Sequence, residues 1–288
     1  MRRLALLAAL VLGLASPRLF AQKPPLPDVA TTLDRVAAYL EAYFARAQSI
    51  VADETVRVQE LNGDLLSAAA PPRILKNELR ISWEPAPGGG ISSPQVLREP
   101  VSVNGRAPRE KDQDKCFDPQ AISPEILGSL FLPENRAQFT YRVTGTGRSN
   151  KRPAILLEIR DTDKGPVIVE TNENCSRFGK PGSSRWRAWI DAETYAVLRL
   201  DESLAVAYDV TIPADRRLHT QQLEVTVERV DTSIVYRRVT FKDPDESVML
   251  PASRETVQVI RNSPTPRVRT SYTYRNYRRF MTGGRIVQ

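Results

Sequence analysis

The chain has 288 residues, with 41 lysines and arginines against 34 aspartates and glutamates, a single histidine and two cysteines. That histidine, His219, sits in a polar run (RRLHTQQ), and no G-x-S-x-G segment occurs, so nothing in the sequence assembles an acid–base or nucleophilic catalytic set. Two isolated cysteines beside one histidine do not make a metal-ligand set either. The expectation is a protein that is not an enzyme and carries no metal or cofactor.

Residues 1–21 read as a secretory signal. Arg2 and Arg3 form a positive start, Leu4 to Leu14 is an apolar run shorter than the roughly 20 residues a membrane helix needs, and Ser16-Pro17 breaks it. Cleavage is expected after Ala21, with the protein exported to a periplasmic or extracellular space. No cysteine follows the apolar run to accept a lipid, and no later stretch is long enough to span a bilayer. The leader holds Arg2, Arg3 and Arg18, so the formal charge of +7 falls to +4 without it. A mild excess spread along the chain argues against nucleic acid as a partner.

Residues 22–28 form a proline-rich lead-in, QKPPLPD. Asp28 stands where a helix cap belongs, and residues 29–48 have helical periodicity. Leu33, Val36, Ala37, Leu40, Tyr43, Phe44 and Ala47 make one apolar stripe opposite Asp34, Arg35, Glu41 and Arg46. From Ile50 the period becomes two. Val56 and Val58 mark a first strand, and Leu75, Leu79, Ile81 and Trp83 one face of a second. Val96 to Val103 is a third, running into the tight-turn pair Asn104-Gly105. Ser123-Pro124-Glu125 opens a short helix that ends near Pro133.

Strands resume with Phe139, Tyr141 and Val143, then Ile155, Leu157 and Ile159. Asp161 to Gly165 (DTDKG) has the first residues of a calcium loop without the later acidic ligands, so it reads as a turn. A strand over 167–170 precedes the hairpin Arg185 to Leu200. There Asp191 opens a four-residue turn that sets Ile190 opposite Tyr195 and Trp186 opposite Arg199, within cation–π reach. Further strands are expected over 205–212, 223–228, 234–241, 256–260 and 268–280. In the last, Val268, Thr270, Tyr272, Tyr274 and Phe280 share one face, and Arg267, Arg269, Arg275 and Arg279 the other. That arginine–tyrosine pattern reads as a solvated strand face before it reads as a polyanion patch.

The sum is a mainly β (α+β) protein: a large curved antiparallel sheet of roughly ten strands with an N-terminal amphipathic helix and one short inserted helix, residues 29–288 forming one domain. Arginine and glutamate interrupt too many strand faces for an outer-membrane barrel. Cys116 and Cys175, the two cysteines of an exported chain, are expected to pair. In the chain-entropy model, closing a loop of about 60 residues contributes on the order of 4 kcal/mol.

The order of elements, and WIDAETYAVLRL at 189–200 in particular, resembles the periplasmic lipoprotein-carrier (LolA/LolB-like) superfamily and its strand-turn-strand of the form W-I-D-x-x-T-x-x-x-x-R. The chain also resembles a group of exported bacterial proteins with a V-N-G-R segment, here 103–106, and a closing tyrosine/arginine strand, here 272–280. The cysteine pair and the arginine-rich C-terminal strands depart from the carriers, so their specific partners do not transfer. The resemblance implies a half-barrel sheet wrapped over helices around an apolar cavity. Function is then expected to be the binding of a lipid, a lipoprotein acyl chain or another apolar ligand in the concave face. The candidate lining residues are Leu40, Tyr43, Phe44, Trp83, Phe139, Tyr141, Leu157 and Trp186. The alternative is a structural or signalling envelope protein that works through contact with a protein partner and holds no small ligand.

Overall fold

A computed structural model describes residues 25–46, 49–82, 94–112, 130–171, 176–216, 223–242 and 245–279. The cleavage site at Ala21, Trp83, both cysteines, His219, Phe280 and the first seven residues of the inserted helix lie outside them.

Helix α1 (Val29–Arg46) begins where the capping signal stands. The Asp28 carboxylate accepts bonds of 2.8 Å from both the backbone N–H and the hydroxyl of Thr31, and these bonds hold its carboxyl below the usual range. Leu33, Val36, Ala37, Leu40, Tyr43 and Phe44 are all buried, as the stripe predicts. Two ties on its polar side fix the helix in place. Asp34 pairs with Arg136 at 2.6 Å, and Arg35 donates to the Tyr195 hydroxyl while lying 5.0 Å over its ring.

The strands are β1 (Ser49–Glu60), β2 (Arg73–Ser82), β3 (Gln95–Val103), β4 (Phe139–Ser149), β5 (Arg152–Asp161), β6 (Ile168–Thr171), β7 (Ser176–Gly179), β8 (Ser184–Asp191), β9 (Val197–Leu204), β10 (Tyr208–Thr211), β11 (Glu224–Lys242), β12 (Asp245–Arg261) and β13 (Arg267–Arg279). Eleven of them form one antiparallel sheet, in the order β3-β2-β1-β13-β12-β11-β9-β8-β5-β4 with β10 added beside β11. β6 and β7 make a separate two-stranded ribbon. The sheet is open, with β3 and β4 as its edges, so it is a half-barrel and not a closed one. Ten strands at about 4.8 Å each span some 48 Å, while an 18-residue helix is about 27 Å long, so α1 covers only part of the inner face.

Several boundaries differ from the sequence reading. The two strands expected at 223–228 and 234–241 are one strand, β11, of 19 residues. Register shifts at Val227/Arg229 and Val235/Tyr236 bend it without ending it. The short β7 (SRFG) was not expected, having no alternating aliphatics. Beyond Pro133 the chain continues as a 3-10 turn, Pro133–Gln138, where the sequence reading ended the helix.

The 185–200 hairpin also has a different register. Ile190 pairs with Val197 and Trp189 with Arg199, while Trp186 stands opposite Glu202. The loop is longer than four residues because Tyr195 adopts a positive φ of 59° and Ala196 joins it, the Asp191 N–H donating to the Ala196 carbonyl. The cation–π pair is therefore Arg199 over Trp189, at 4.8 Å. Asp191 does open the turn: its Oδ1 accepts from the N–H groups of Glu193 and Thr194 at 3.1 and 2.8 Å. In β13 the alternation holds to Tyr274 and then breaks at Asn276, whose φ is 50°. Arg279 therefore faces Glu246 and the ring of Phe241, not the solvent side on which strict alternation places it.

Candidate functional site

Seven of the eight expected lining residues come together. Leu40, Tyr43, Phe44, Leu157 and Trp186 belong to the main buried cluster between α1 and the sheet, with Phe139 and Tyr141 packed against it. The aromatic rings meet edge to face: Phe139 and Trp186 at 5.5 Å between centroids, Phe139 and Tyr141 at 6.4 Å, Tyr43 and Phe44 at 5.1 Å. The Tyr141 hydroxyl donates to the Leu130 carbonyl at 2.6 Å, and burial pushes its pKa up to about 12. It is a neutral donor at any physiological pH. Leu130, Phe131 and Leu132 close the same cluster from the side of the segment that precedes β4.

Packing under the helix is dense but incomplete. A half-open crevice lined by Tyr39, Leu40, Tyr43, Phe44, Val197, Tyr236 and Met249 lies between α1 and the strands, with room of about 20 Å³. That is room for about one water molecule, and the walls are mostly apolar. The groove of a few hundred Å³ that an acyl chain requires is not open in this conformation at that place.

Sequence reasoning missed a second inner feature. On neighbouring strands the inward positions run apolar, then polar, then apolar again. β2 shows Leu79, Asn77, Leu75; β1 shows Ala52, Glu54, Val56; β11 shows Ile234, Thr232, Val230; β9 shows Leu200, Glu202, Leu204. Register joins the polar members into a belt across the concave face. Asn77 pairs with Glu54, Glu54 with Tyr274, Tyr272 with Arg254, Thr256 with Thr232, Thr232 with Glu202 and Glu202 with Trp186. The belt separates the cluster under α1 from two smaller ones, one around Val56, Val58, Leu75 and Val268, the other around Val210, Val225, Val227 and Ile260.

The two ends of this belt differ. At one end Glu54 is fully buried and accepts from Arg98 through Nε at 2.8 Å and Nη2 at 3.1 Å, and from the Asn77 amide at 2.9 Å. Burial, reinforced by Glu54, pushes the Tyr274 hydroxyl well above its ordinary pKa. Toward the other end Arg254 lies 5.5 Å over the ring of Tyr272, and its buried Nε has no hydrogen-bond acceptor among the described residues. Glu202 accepts from the Ser184 hydroxyl at 2.9 Å, and burial raises its carboxyl above the usual carboxylate range, against the pull of that bond and of Arg254.

The outer face carries charge in another form. Glu158, Arg187, Asp201, Ser233 and Glu255 stand in one row across β5, β8, β9, β11 and β12. With their neighbours they line a trough of about 550 Å³. Several of its charges are mutually engaged: Arg199 with Asp201 at 2.7 Å, Arg229 with Asp231 at 2.5 Å, Ser233 on Asp201 at 2.7 Å. Among the described residues no cluster of histidine, cysteine and acidic side chains is arranged to hold a metal ion. The DTDKG loop spends its carboxylates on backbone amides, Asp161 on the N–H groups of Asp163 and Gly182 and Asp163 on that of Gly165. No helix of the described residues is long and apolar enough to cross a membrane.

No protein-family model matches the chain, and no curated protein matches it in sequence. Solved structures of similar layout include an outer-membrane lipoprotein-sorting protein domain from Vibrio parahaemolyticus, with a TM-score of 0.39 at 10% identity over 90% of this chain and 96% of that one. A DUF1329 family protein from Desulfovibrio piger gives a TM-score of 0.39 at 11% identity, covering 89% and 95% of the two chains. A LolA superfamily protein from Nitrosomonas europaea gives 0.34 at 8%, covering 88% and 96%.

Proposed function

We propose that this is an exported, non-enzymatic binding protein that takes the apolar part of a lipid, a lipoprotein acyl chain or a similar ligand between α1 and the concave face of the sheet. The observation that supports it is the crevice under the helix. Its walls are tyrosine, phenylalanine, leucine, valine and methionine, and α1 is tied down on its polar side by a partly exposed ion pair and one tyrosine hydroxyl bond. Such surface ties contribute little each, about 0–1 kcal/mol, and beneath them the helix rests on apolar contacts. An incoming chain replaces those contacts at roughly 0.8 kcal/mol per buried CH2. α1 is then a lid that the ligand displaces.

The test is native mass spectrometry, with solvent extraction, of protein purified without detergent. A co-purified lipid, or binding of a fluorescent fatty-acid probe that is lost when Met249→Asp puts a charge in the crevice, supports the reading. Ligand-free protein that binds no probe overturns it.

A second reading rests on β3. It is an edge strand, and it presents Leu97 and Val101 to solvent at 55% and 60% exposure. An unpaired edge with apolar side chains is a template for strand addition by another chain. Contact with an envelope protein there is the alternative function, and proteins captured through β3 but not through a Leu97→Lys variant would support it.

A further inference from the structure

Tyr195 is held in a conformation that tyrosine rarely adopts. Its φ is 59°, the left-handed region, where Cβ crowds the following carbonyl and glycine or asparagine is the usual occupant. The chain follows that preference elsewhere. Of the seven non-glycine residues with positive φ among the described residues, four are asparagines, and Tyr195 is the only aromatic one. The surrounding bonds hold it there. Asp191 accepts from the N–H groups of Glu193 and Thr194 and from the Thr194 hydroxyl, and is itself paired with Arg152. The Tyr195 N–H donates to the Asp191 carbonyl at 3.0 Å, and the Ala192 N–H to the Pro153 carbonyl at 3.1 Å, which bolts the turn to β5. Strained residues persist only where their surroundings over-determine them, and they cluster at clamps and functional sites.

What the strained turn presents is a grip on α1. The Tyr195 hydroxyl accepts from Arg35 Nη1 at 3.2 Å, and the guanidinium carbon lies 5.0 Å from the ring centroid. The same ring packs against the cluster under the helix. The grip stands at one end of the apolar crevice. Tyr39, one helical turn after Arg35 on the same face, and Val197, two residues after Tyr195, are both among its walls. Arg35 and Tyr195 themselves do not line it.

We infer that Tyr195 is a positioning residue of the crevice: the turn keeps it left-handed so that it grips Arg35, holds α1 against the sheet at that end, and sets how readily an apolar chain enters. This rests on the function proposed above. Loosening the grip changes access and leaves the walls intact.

Hydrogen exchange read by mass spectrometry on the full protein, with stopped-flow mixing against 11-(dansylamino)undecanoic acid, tests the assignment. Arg35→Gln leaves Tyr195 and its packing in place. It should speed exchange of the amides of residues 36–46, and association of the probe, by about threefold to tenfold, the range of one exposed cation–π contact with a hydrogen bond. Exchange in β8 and β9 should stay as in wild type. Tyr195→Phe should fall between the two, and combining it with Arg35→Gln should add nothing to Arg35→Gln alone. Tyr195→Asn, which suits the left-handed backbone but has no ring, should loosen α1 at least as much as Arg35→Gln. Arg187→Gln on the outer face should change nothing. If Tyr195→Asn does not fold by circular dichroism, Arg35→Gln and Tyr195→Phe carry the comparison.

Helix exchange in Arg35→Gln equal to wild type overturns the inference. So does a rise of the same size throughout the sheet, which is a general loss of stability, or additive effects of Arg35→Gln and Tyr195→Phe. A loosened helix with unchanged probe association overturns the link to ligand entry. Wild-type protein that binds no probe, with α1 still loosened by Arg35→Gln, overturns the carrying function and leaves Tyr195 as a positioning residue of the helix.

Discussion

Glu158 and Glu202 lie two strands apart in one sheet, on opposite faces, and their surroundings drive them in opposite directions. Glu158 faces outward, where Arg142 and Arg160 donate to it at 2.6 Å; those bonds and charges hold its carboxyl down to about 2. Glu202 faces inward and accepts from Ser184, and burial pushes it up. The outer face thus compensates Glu158 with close neighbours in water, an arrangement in which a pair contributes about 0–1 kcal/mol. The inner face has few charges, and each must be completely satisfied or left waiting for something. Glu54 with Arg98 is the first case and Arg254 the second. The number of charges on a face says little about its role; whether their donors and acceptors are already used says much more.

The comparison breaks first at Glu54. Replacing it with leucine leaves Arg98 buried without its partner and should cost about 3–5 kcal/mol in urea unfolding, whereas Glu54→Leu combined with Arg98→Met should recover most of that. A loss below about 1 kcal/mol would mean that the inner pair behaves like those outside. Two carboxyls sharpen the contrast through pH. The carboxyl of Glu202 is raised in the folded state, so its contribution is fully present below the ordinary value of 4.5 and is lost as pH rises through the folded pKa. Glu202→Gln should therefore gain stability relative to wild type on going from acid to neutral pH.

Glu158 is lowered from 4.5 to about 2, so its contribution is present above 4.5 and disappears as pH falls through that window. Its position on the solvated face limits Glu158→Gln to a loss of at most about 1 kcal/mol at neutral pH, vanishing in acid. The same sign for both variants in pH-dependent denaturation would remove the distinction between the faces. The smallest effect is expected at Arg199, over Trp189 on the outer face. Arg199→Ala should cost about 0.5–1 kcal/mol and shift the tryptophan emission, with no change in ligand binding.

The helix and most strands were legible because their periods are unbroken, 3.6 from Leu33 to Phe44 and two from Val56 to Val58 or Leu75 to Ile81. Errors fell where local geometry adds or removes half a period. Tyr195 and Asn276, both with positive φ, moved Arg199 from Trp186 to Trp189 and turned Arg279 inward. The belt was illegible for a related reason. A single polar residue at an inward position reads as an imperfect strand or as a loop, and Asp231-Thr232-Ser233 at the belt reads as the gap between two strands. Only pairing shows that Glu54, Arg254, Thr232 and Glu202 are neighbours, since strands distant in sequence bring them together. The apolar lining was easier: large side chains at regular spacing on the helix and on β4, β5 and β8 have one cluster available to them.

The placement of β1 beside β13 has a kinetic consequence. Within the sheet, β3, β2 and β1 reach the remaining strands only through β13, and the Asn276–Asp53 bond closes a separation of 223 residues. The loop-closure entropy of that step is spent before its contacts reward it. The strands from β4 to β13 can assemble as hairpins while the first three wait, so the two halves should join last and slowly. Until they do, β1 and β13 both offer bare backbone edges, and that interval is when the chain is most exposed to pairing with the wrong partner.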